Sequence, residues 1–346
     1  MAIPLNLMTD KINSYRSRID ADSIRNQIPL PTHYIIYING YKNNEDPSKE
    51  VDLSQEILYN ILEETAWTFP KYILTGSEPL DHPSIRLILQ QIINRLCKCE
   101  IATDGLKLAS IKKELFSSNI HVSVEVNLEN LDLLCEQLKI LSENRILYTE
   151  NFSFVLSANQ IKSSLIPSII IRLKEHGCYH FLIKHKELFD KKLCEGTGRF
   201  LEKEFGQELY VSFPQYENNE TKIGNRINDL LLLRKQLEMI DNIKVSYFPD
   251  MSNAEMIQYY NDGFYKSKGN DDLCLVPWIS PIIDCYGNVK NCRNLIVGNI
   301  MKESFWSIWN SERNQRFRNL IALYDALPFC SHCKYRFIKI YNHRYE

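Results

Sequence analysis

The chain has 346 residues, of which 44% are hydrophobic and 24% charged. That is room for roughly two domains and a full hydrophobic core. A net charge of -2 gives no electrostatic prior for nucleic acid or an anionic membrane. No run of ~20 apolar residues predicts a spanning helix, and residues 1–20 lack an apolar signal core. The chain reads as cytoplasmic.

Strand and helix signals alternate along the chain. HYIIYI (33–38) is a β-branched and aromatic run. LSQEILYNILEET (53–65) has helical periodicity, with Leu53, Ile57, Ile61 and Leu62 on one face. YILT (72–75) predicts a strand, and PSIRLILQQIINRL (83–96) a helix with Pro83 in its first turn. CEIAT (99–103) is a strand ending at an Asp104-Gly105 turn signal. A helix over 108–118 and an alternating strand over 121–126 follow. Next come a helix near 129–142, a strand at 152–157 and a helix near 163–175, with Gly177 at its C-cap. CYHFLIK (178–184) is a sixth strand, with a helix expected near 187–203.

Repeated β-then-α units imply a parallel sheet with right-handed crossovers. Periodicity alone leaves a full barrel, a partial barrel and an open doubly wound sheet in play. In each, ligands bind at the C-terminal ends of the strands. Those ends are Asn39-Gly40-Tyr41, Thr75 to Pro79 and Thr103-Asp104-Gly105. Strands are expected at 208–213 and 243–248, around a polar loop (214–223) and a helix (225–240). Residues 261–273 read as a linker.

The ten cysteines are the unusual count, and their placement is more informative. None precedes Cys97, whereas Cys274, Cys285, Cys292, Cys330 and Cys333 cluster near the C-terminus. Twelve residues separate Cys274 from Gly287, and four more precede Cys292. Cys330-Ser331-His332-Cys333 is a C-x-x-C pair, which can place two thiolates on one metal centre. Four thiolates suit an iron–sulfur cluster or a zinc ion, and spacing does not separate the two. Buried free cysteines are the bland alternative. Cys285 reads as a core residue from strand alternation.

Weaker candidates are His176, His180 and His185 around one strand, read as core or surface histidines. Cys97 and Cys99 have the wrong spacing for a one-metal grip. Cys194 is a lone thiol. The basic, aromatic run 334–346 reads as a solvated tail or a partner contact.

Three features together carry a family resemblance. The tail runs Cys274…Gly287…Cys292, then LIVGNI (295–300), SFWSIWNSER (304–313) and Cys330-x-x-Cys333. It resembles the SPASM domain of radical SAM peptide-maturing enzymes. LTGSEPLDHP (74–83) is similar to the GGEP segment of the radical SAM domain, and Thr103-Asp104-Gly105 to its TNG-type turn. The resemblance covers about residues 33–333. It implies an α/β fold: a partial (β/α)6 radical-SAM-like barrel over 33–260. A cysteine-bearing SPASM-like domain would span 261–346, and an N-terminal extension 1–32.

The resemblance also implies one auxiliary 4Fe-4S cluster at Cys274, Cys292, Cys330 and Cys333, because no cysteine follows Cys333. Zinc is the alternative metal. Gly76, Ser77, Glu78, Pro79 and Thr103 would be remnants of an S-adenosylmethionine site. One departure bears on function. The family carries C-x-x-x-C-x-x-C after its first strand; here that place reads NGYKNNEDP (39–47). Those family cysteines hold the cluster that binds and splits S-adenosylmethionine, and Asn, Lys and Glu do not replace thiolates around it. Ser77 in place of a glycine adds a side chain where a ligand would approach.

The resemblance therefore points to a pseudoenzyme of ribosomal-peptide maturation that binds a precursor peptide or a partner enzyme, with no nucleic acid or membrane partner. The alternatives are an enzyme using S-adenosylmethionine, or another small ligand, in non-radical chemistry, and a zinc-stabilised binding module.

Overall fold

The computed structural model describes residues 30–41, 50–111, 119–143, 151–158, 160–185, 191–206, 220–262, 274–292 and 295–324. The expected 208–213 strand, residues 263–273 of the linker, nearly all of the N-terminal extension, the 334–346 tail, and both Cys330 and Cys333 lie outside these residues, while residues 261–262, read as linker, end the helix Asn253–Asp262.

The strands are β1 His33–Tyr37, β2 Asn39–Tyr41, β3 Glu50–Asp52, β4 Lys71–Thr75, β5 Lys98–Thr103 and β6 Ile120–Glu125. They continue as β7 Phe152–Ser157, β8 His180–Lys184, β9 Lys244–Phe248, β10 Ile282–Ile283, β11 Asn288–Cys292 and β12 Leu295–Asn299. The helices are α1 Gln55–Thr65, α2 Ile85–Asn94, α3 Leu131–Glu143, α4 Ile166–Glu175 and α5 Lys191–Phe205. After them come α6 Glu220–Glu238, α7 Asn253–Asp262, α8 Val276–Ile279, α9 Phe305–Trp309 and α10 Glu312–Tyr324.

Ten strands form one sheet in the order β12-β11-β10-β1-β4-β5-β6-β7-β8-β9. From β10 through β9 every neighbour is parallel. Strand order follows chain order from β1 to β9, so there is no reversal and no topological switch point. Crossovers of one hand then put the helices on one face, which is the barrel-like winding rather than the doubly wound one. The fold is α/β, built on this large parallel sheet, with the cysteine-bearing segment adding β10–β12 beside β1.

Alternation along the strands decides what each face carries. Tyr34, Ile36, Tyr72, Leu74, Cys99, Ile101, Val122, Val124, Phe154 and Ile183 are buried on the helix-covered face. Tyr72 also bonds there to α1, its hydroxyl 2.7 Å from Thr65 Oγ1. The opposite face carries Ile35, Ile73, Val155 and Leu182 among polar side chains. Lys71 Nζ lies 2.5 Å from Glu100 Oε2, and His121 Nε2 lies 2.9 Å from Ser153 Oγ. Burial alone would raise the Glu100 carboxyl, but Lys71 and His121 beside it bring it below its ordinary value.

Three local expectations are corrected. Pro83 is not in the first helical turn: α2 begins at Ile85, with Ser84 as N-cap. Ser84 N–H donates to His82 Nδ1 at 3.1 Å, so the turn ahead of the helix is held by a side chain. Leu53 lies outside α1. It is buried, but its N–H donates to Ile38 O at 2.8 Å, continuing the strand connection. Ser54 caps α1 instead, accepting from Ile57 N–H. Of the helix expected over 108–118, Leu108–Ser110 form a 3-10 turn and residues 112–118 lie outside the described set. Gly177, at φ 82, follows the α4 C-cap residue His176, as its position implied.

Candidate site at the strand ends and the cysteine-bearing segment

The end of β4 turns sharply into Gly76-Ser77-Glu78-Pro79. Glu78 caps the 3-10 turn Pro79–Asp81 by accepting Leu80 N–H at 2.9 Å. The same carboxylate accepts the Thr103 hydroxyl at 2.7 Å and Asp104 N–H at 2.8 Å. Thr103 Oγ1 in turn accepts Gly105 N–H at 3.0 Å. Glu78 thus ties the end of β4 to the end of β5. Burial pushes its carboxyl up to about 7, against the three donors, which favour the charged form. Gly105 has φ +81, and a Cβ there would lie 2.7 Å from Leu134 Cδ1. The turn after β5 is therefore a glycine position for both conformation and space.

Residues 39–41 do not end as a loop. They pair antiparallel with β3, with Asn39 opposite Asp52 and Tyr41 opposite Glu50. Asn39 is 1% exposed and reaches across to β4. Its Nδ2 donates to the Glu78 backbone carbonyl at 2.6 Å, while its Oδ1 has no hydrogen-bond partner. A Cβ on Gly76 would sit 2.1 Å from that Oδ1 and 2.4 Å from Asn39 O. The Asn39 carboxamide therefore packs directly on the Gly76 backbone. His82 adds a further tie, Nε2 to Leu53 O at 2.9 Å. Cys285 approaches from β10. Its Sγ would lie 3.1 Å from a Cβ on Gly40, and burial pushes its thiol up to about 11. Cys285 is buried, as alternation implied.

The cysteine-bearing segment is organised by Asp284. Its carboxylate accepts Tyr286 and Asn288 N–H, each at 3.0 Å, and meets Lys290 Nζ at 2.9 Å. Gly287, at φ +74, completes this turn into β11. Cys292 is the last residue of β11, and Cys274 stands two residues before α8, which packs on β11. Cys274 is buried and Cys292 half-buried. Thiol donors on these two neighbouring elements suit a soft metal centre. Among the described residues no three His, Cys, Asp or Glu side chains gather at metal-binding range.

The sequence-predicted residues Gly76, Ser77, Glu78, Pro79 and Thr103 thus meet at the ends of β4 and β5. Cys274 and Cys292 lie on the cysteine-bearing segment, and Cys330 and Cys333 fall outside the described residues. Spacing gave no sign of a half-buried group around Tyr247. Its members, His185, Arg234, Tyr247 and Tyr260, spread over 76 positions of sequence.

Residues 274–334 match the SPASM model, described as an iron–sulfur cluster-binding domain. The overall fold is similar to that of solved structures of one bacterial protein. SuiB of Streptococcus suis is similar over 93% of this chain and 76% of its own, at 12% identity and a TM-score of 0.56. The same protein bound to its precursor peptide SuiA is similar over 88% of this chain and 71% of its own, at 13% identity and 0.58. Bound to S-adenosylmethionine it covers 88% and 72%, at 12% identity and 0.56. No curated protein matches the sequence. No helix among the described residues is long and apolar enough to cross a membrane.

Proposed function

We propose that this chain is a degenerate radical SAM/SPASM protein that serves peptide maturation without radical catalysis. It binds one auxiliary 4Fe-4S cluster and acts as an accessory, peptide-binding or partner-binding component. The observation that carries the reading is the segment after β1. It holds no cysteine, pairs as a hairpin, and packs Asn39 on Gly76 and on the Glu78 carbonyl. That segment supplies no thiolate of its own, and Cys285 beside Gly40 is a single thiol where the family's cluster takes three. Gly76, Ser77, Glu78, Pro79 and Thr103 remain there as a site frame whose polar groups bond to one another.

The auxiliary cluster would be held by Cys274, Cys292, Cys330 and Cys333, and when bound it supplies one-electron redox capacity. The chain divides at about 33 and 261 into an extension, a barrel and the cysteine-bearing domain. That SuiB binds the precursor peptide SuiA supports a peptide as the partner class.

The first test is iron, sulfide and zinc content after anaerobic purification, with the visible spectrum. About four irons with matching sulfide, and a band bleached by dithionite, support the cluster. One zinc and no iron sinks it in favour of a structural staple. Calorimetry with S-adenosylmethionine at ~100 μM protein should give no heat. Saturable heat abolished by Glu78→Ala would instead favour an enzyme with non-radical chemistry at the strand ends.

A further inference from the structure

Three side chains, Arg234, His185 and Tyr260, gather beside Tyr247 at the C-terminal edge of β8 and β9. Arg234 of α6 lies over the ring, with Cζ 4.4 Å from its centroid. The His185 ring stacks near it at 6.1 Å, and Tyr260 of α7 meets His185 edge-on at 5.9 Å. His185 is 6% exposed and its Nδ1 lies 3.2 Å from the Tyr260 hydroxyl.

The hydrogen bonds here are incomplete in one sense only. Arg234 Nη1 donates to Asn253 Oδ1 at 2.9 Å, but Arg234 Nε and Nη2 and His185 Nε2 are buried without a partner. Burial and the neighbouring Arg234 push His185 down to about 3, so the imidazole is neutral at pH 7. Arg234 Nε and Nη2 are donors whichever way the His185–Tyr260 hydrogen bond runs. Burial also lowers Arg234, and no carboxylate among the described residues is hydrogen-bonded to it. Arg234 is half-buried and Glu238 lies near enough to raise it, yet Glu238 bonds neither Nε nor Nη2. Leaving buried donors unmatched is costly, so the arrangement suits an acceptor that carries negative charge.

We propose that Arg234, with His185 and Tyr260 behind it, forms a carboxylate-binding site at the end of β8 and β9. The Nε and Nη2 donors form the side edge of the guanidinium, whose two parallel N–H groups match the two oxygens of a carboxylate. The cluster offers one cation, and a carboxylate carries one charge, whereas inorganic phosphate carries more than one at pH 7. The ends of parallel strands are also where α/β sheets bind ligands. The carboxylate can come from a small acid or from an acidic side chain of a peptide.

The test titrates the full chain at constant ionic strength with acetate, glutamate, the peptide acetyl-Gly-Glu-Gly-amide and inorganic phosphate. Thermal midpoint and calorimetry are read. A saturable rise with acetate or glutamate is expected, and Arg234→Lys, which keeps the charge but loses the paired edge, should weaken it by about tenfold or more. Tighter binding of the peptide than of acetate assigns a peptide source, and the reverse a small acid. Saturation by phosphate alone overturns the carboxylate assignment. No saturable response to any probe overturns the site. In that case Arg234→Met separates the fillers: a fall in midpoint means a carboxylate of this chain fills the edge, and a rise or no change means water does.

Discussion

Asn39 and Gly76 make the tightest contact at the strand ends, and the contact has a testable cost. Gly76→Ala places a methyl group against the Asn39 carboxamide and backbone, at φ +155, which side chains rarely adopt. Stability should fall by about 2–3 kcal/mol, read as a lower denaturant midpoint at unchanged slope. Glu78 makes a second residue-scale prediction. Its folded value of about 7 lies above its ordinary 4.5, so between these the folded chain holds a proton that the unfolded chain has lost. Stability from this group therefore falls as pH rises from 4.5 to about 7, and is flat above. His185 acts with the opposite sign. Its depressed value makes stability fall as pH drops from 6.5 towards about 3. The two slopes overlap, so the wild-type curve alone does not isolate Glu78. The difference between wild type and Glu78→Gln does: it should decline from pH 4.5 to 7 and then level off.

At the scale of elements, α9 joins the cysteine-bearing segment to the first helix of the sheet. Phe305 N–H donates to Glu64 Oε2 at 2.6 Å, and Trp306 Nε1 donates to Glu64 O at 2.7 Å. Trp67 and Trp306 meet at 5.6 Å, and Phe305 and Trp309 are fully buried. Glu64→Ala leaves the Phe305 N–H without its acceptor and should cost about 1–2 kcal/mol. A change in tryptophan fluorescence without loss of helical signal in circular dichroism would place the effect at this joint. The other side of α9 rests on β12. A Cβ on Gly298 would lie 2.6 Å from Ile308 Cγ2, so Gly298→Ala should lift α9 and cost roughly 1–3 kcal/mol. If both variants unfold at the wild-type midpoint, the helix is not fixed by these contacts.

At the scale of the whole molecule, β10 carries the cysteine-bearing segment into the main sheet, pairing Ile282 with Ile35 and Ile283 with Ile36. Metal bound by Cys274 and Cys292 would therefore stabilise the strand that flanks β1. Cys330→Ser is expected to lower iron content and to lower the thermal midpoint, because ligand binding to the folded state alone is stabilising. A variant that keeps full metal content would remove Cys330 from the ligand set.

Much of this was legible locally. The 3.6 and 2.0 periodicities placed α1 to α4 and β4 to β8 within a few residues, because each element buries one face in a layered α/β core. The cysteine spacing and the Gly287 turn marked the SPASM segment, because ligand and turn geometry are fixed over short stretches of chain. The Pro83 and Leu53 assignments failed for a shared reason: His82 and Ile38, across a turn and a strand, fixed those backbones instead. The sequence by itself determined the alternating elements, the missing cysteines after β1 and the thiols of the tail. Tertiary structure alone decided the single direction of winding, the hairpin that puts Asn39 on Gly76 and the closure of Glu78 onto Thr103 and Asp104. It also decided the gathering of Arg234, His185 and Tyr260. These depend on pairings between distant segments, which neither composition nor local period encodes.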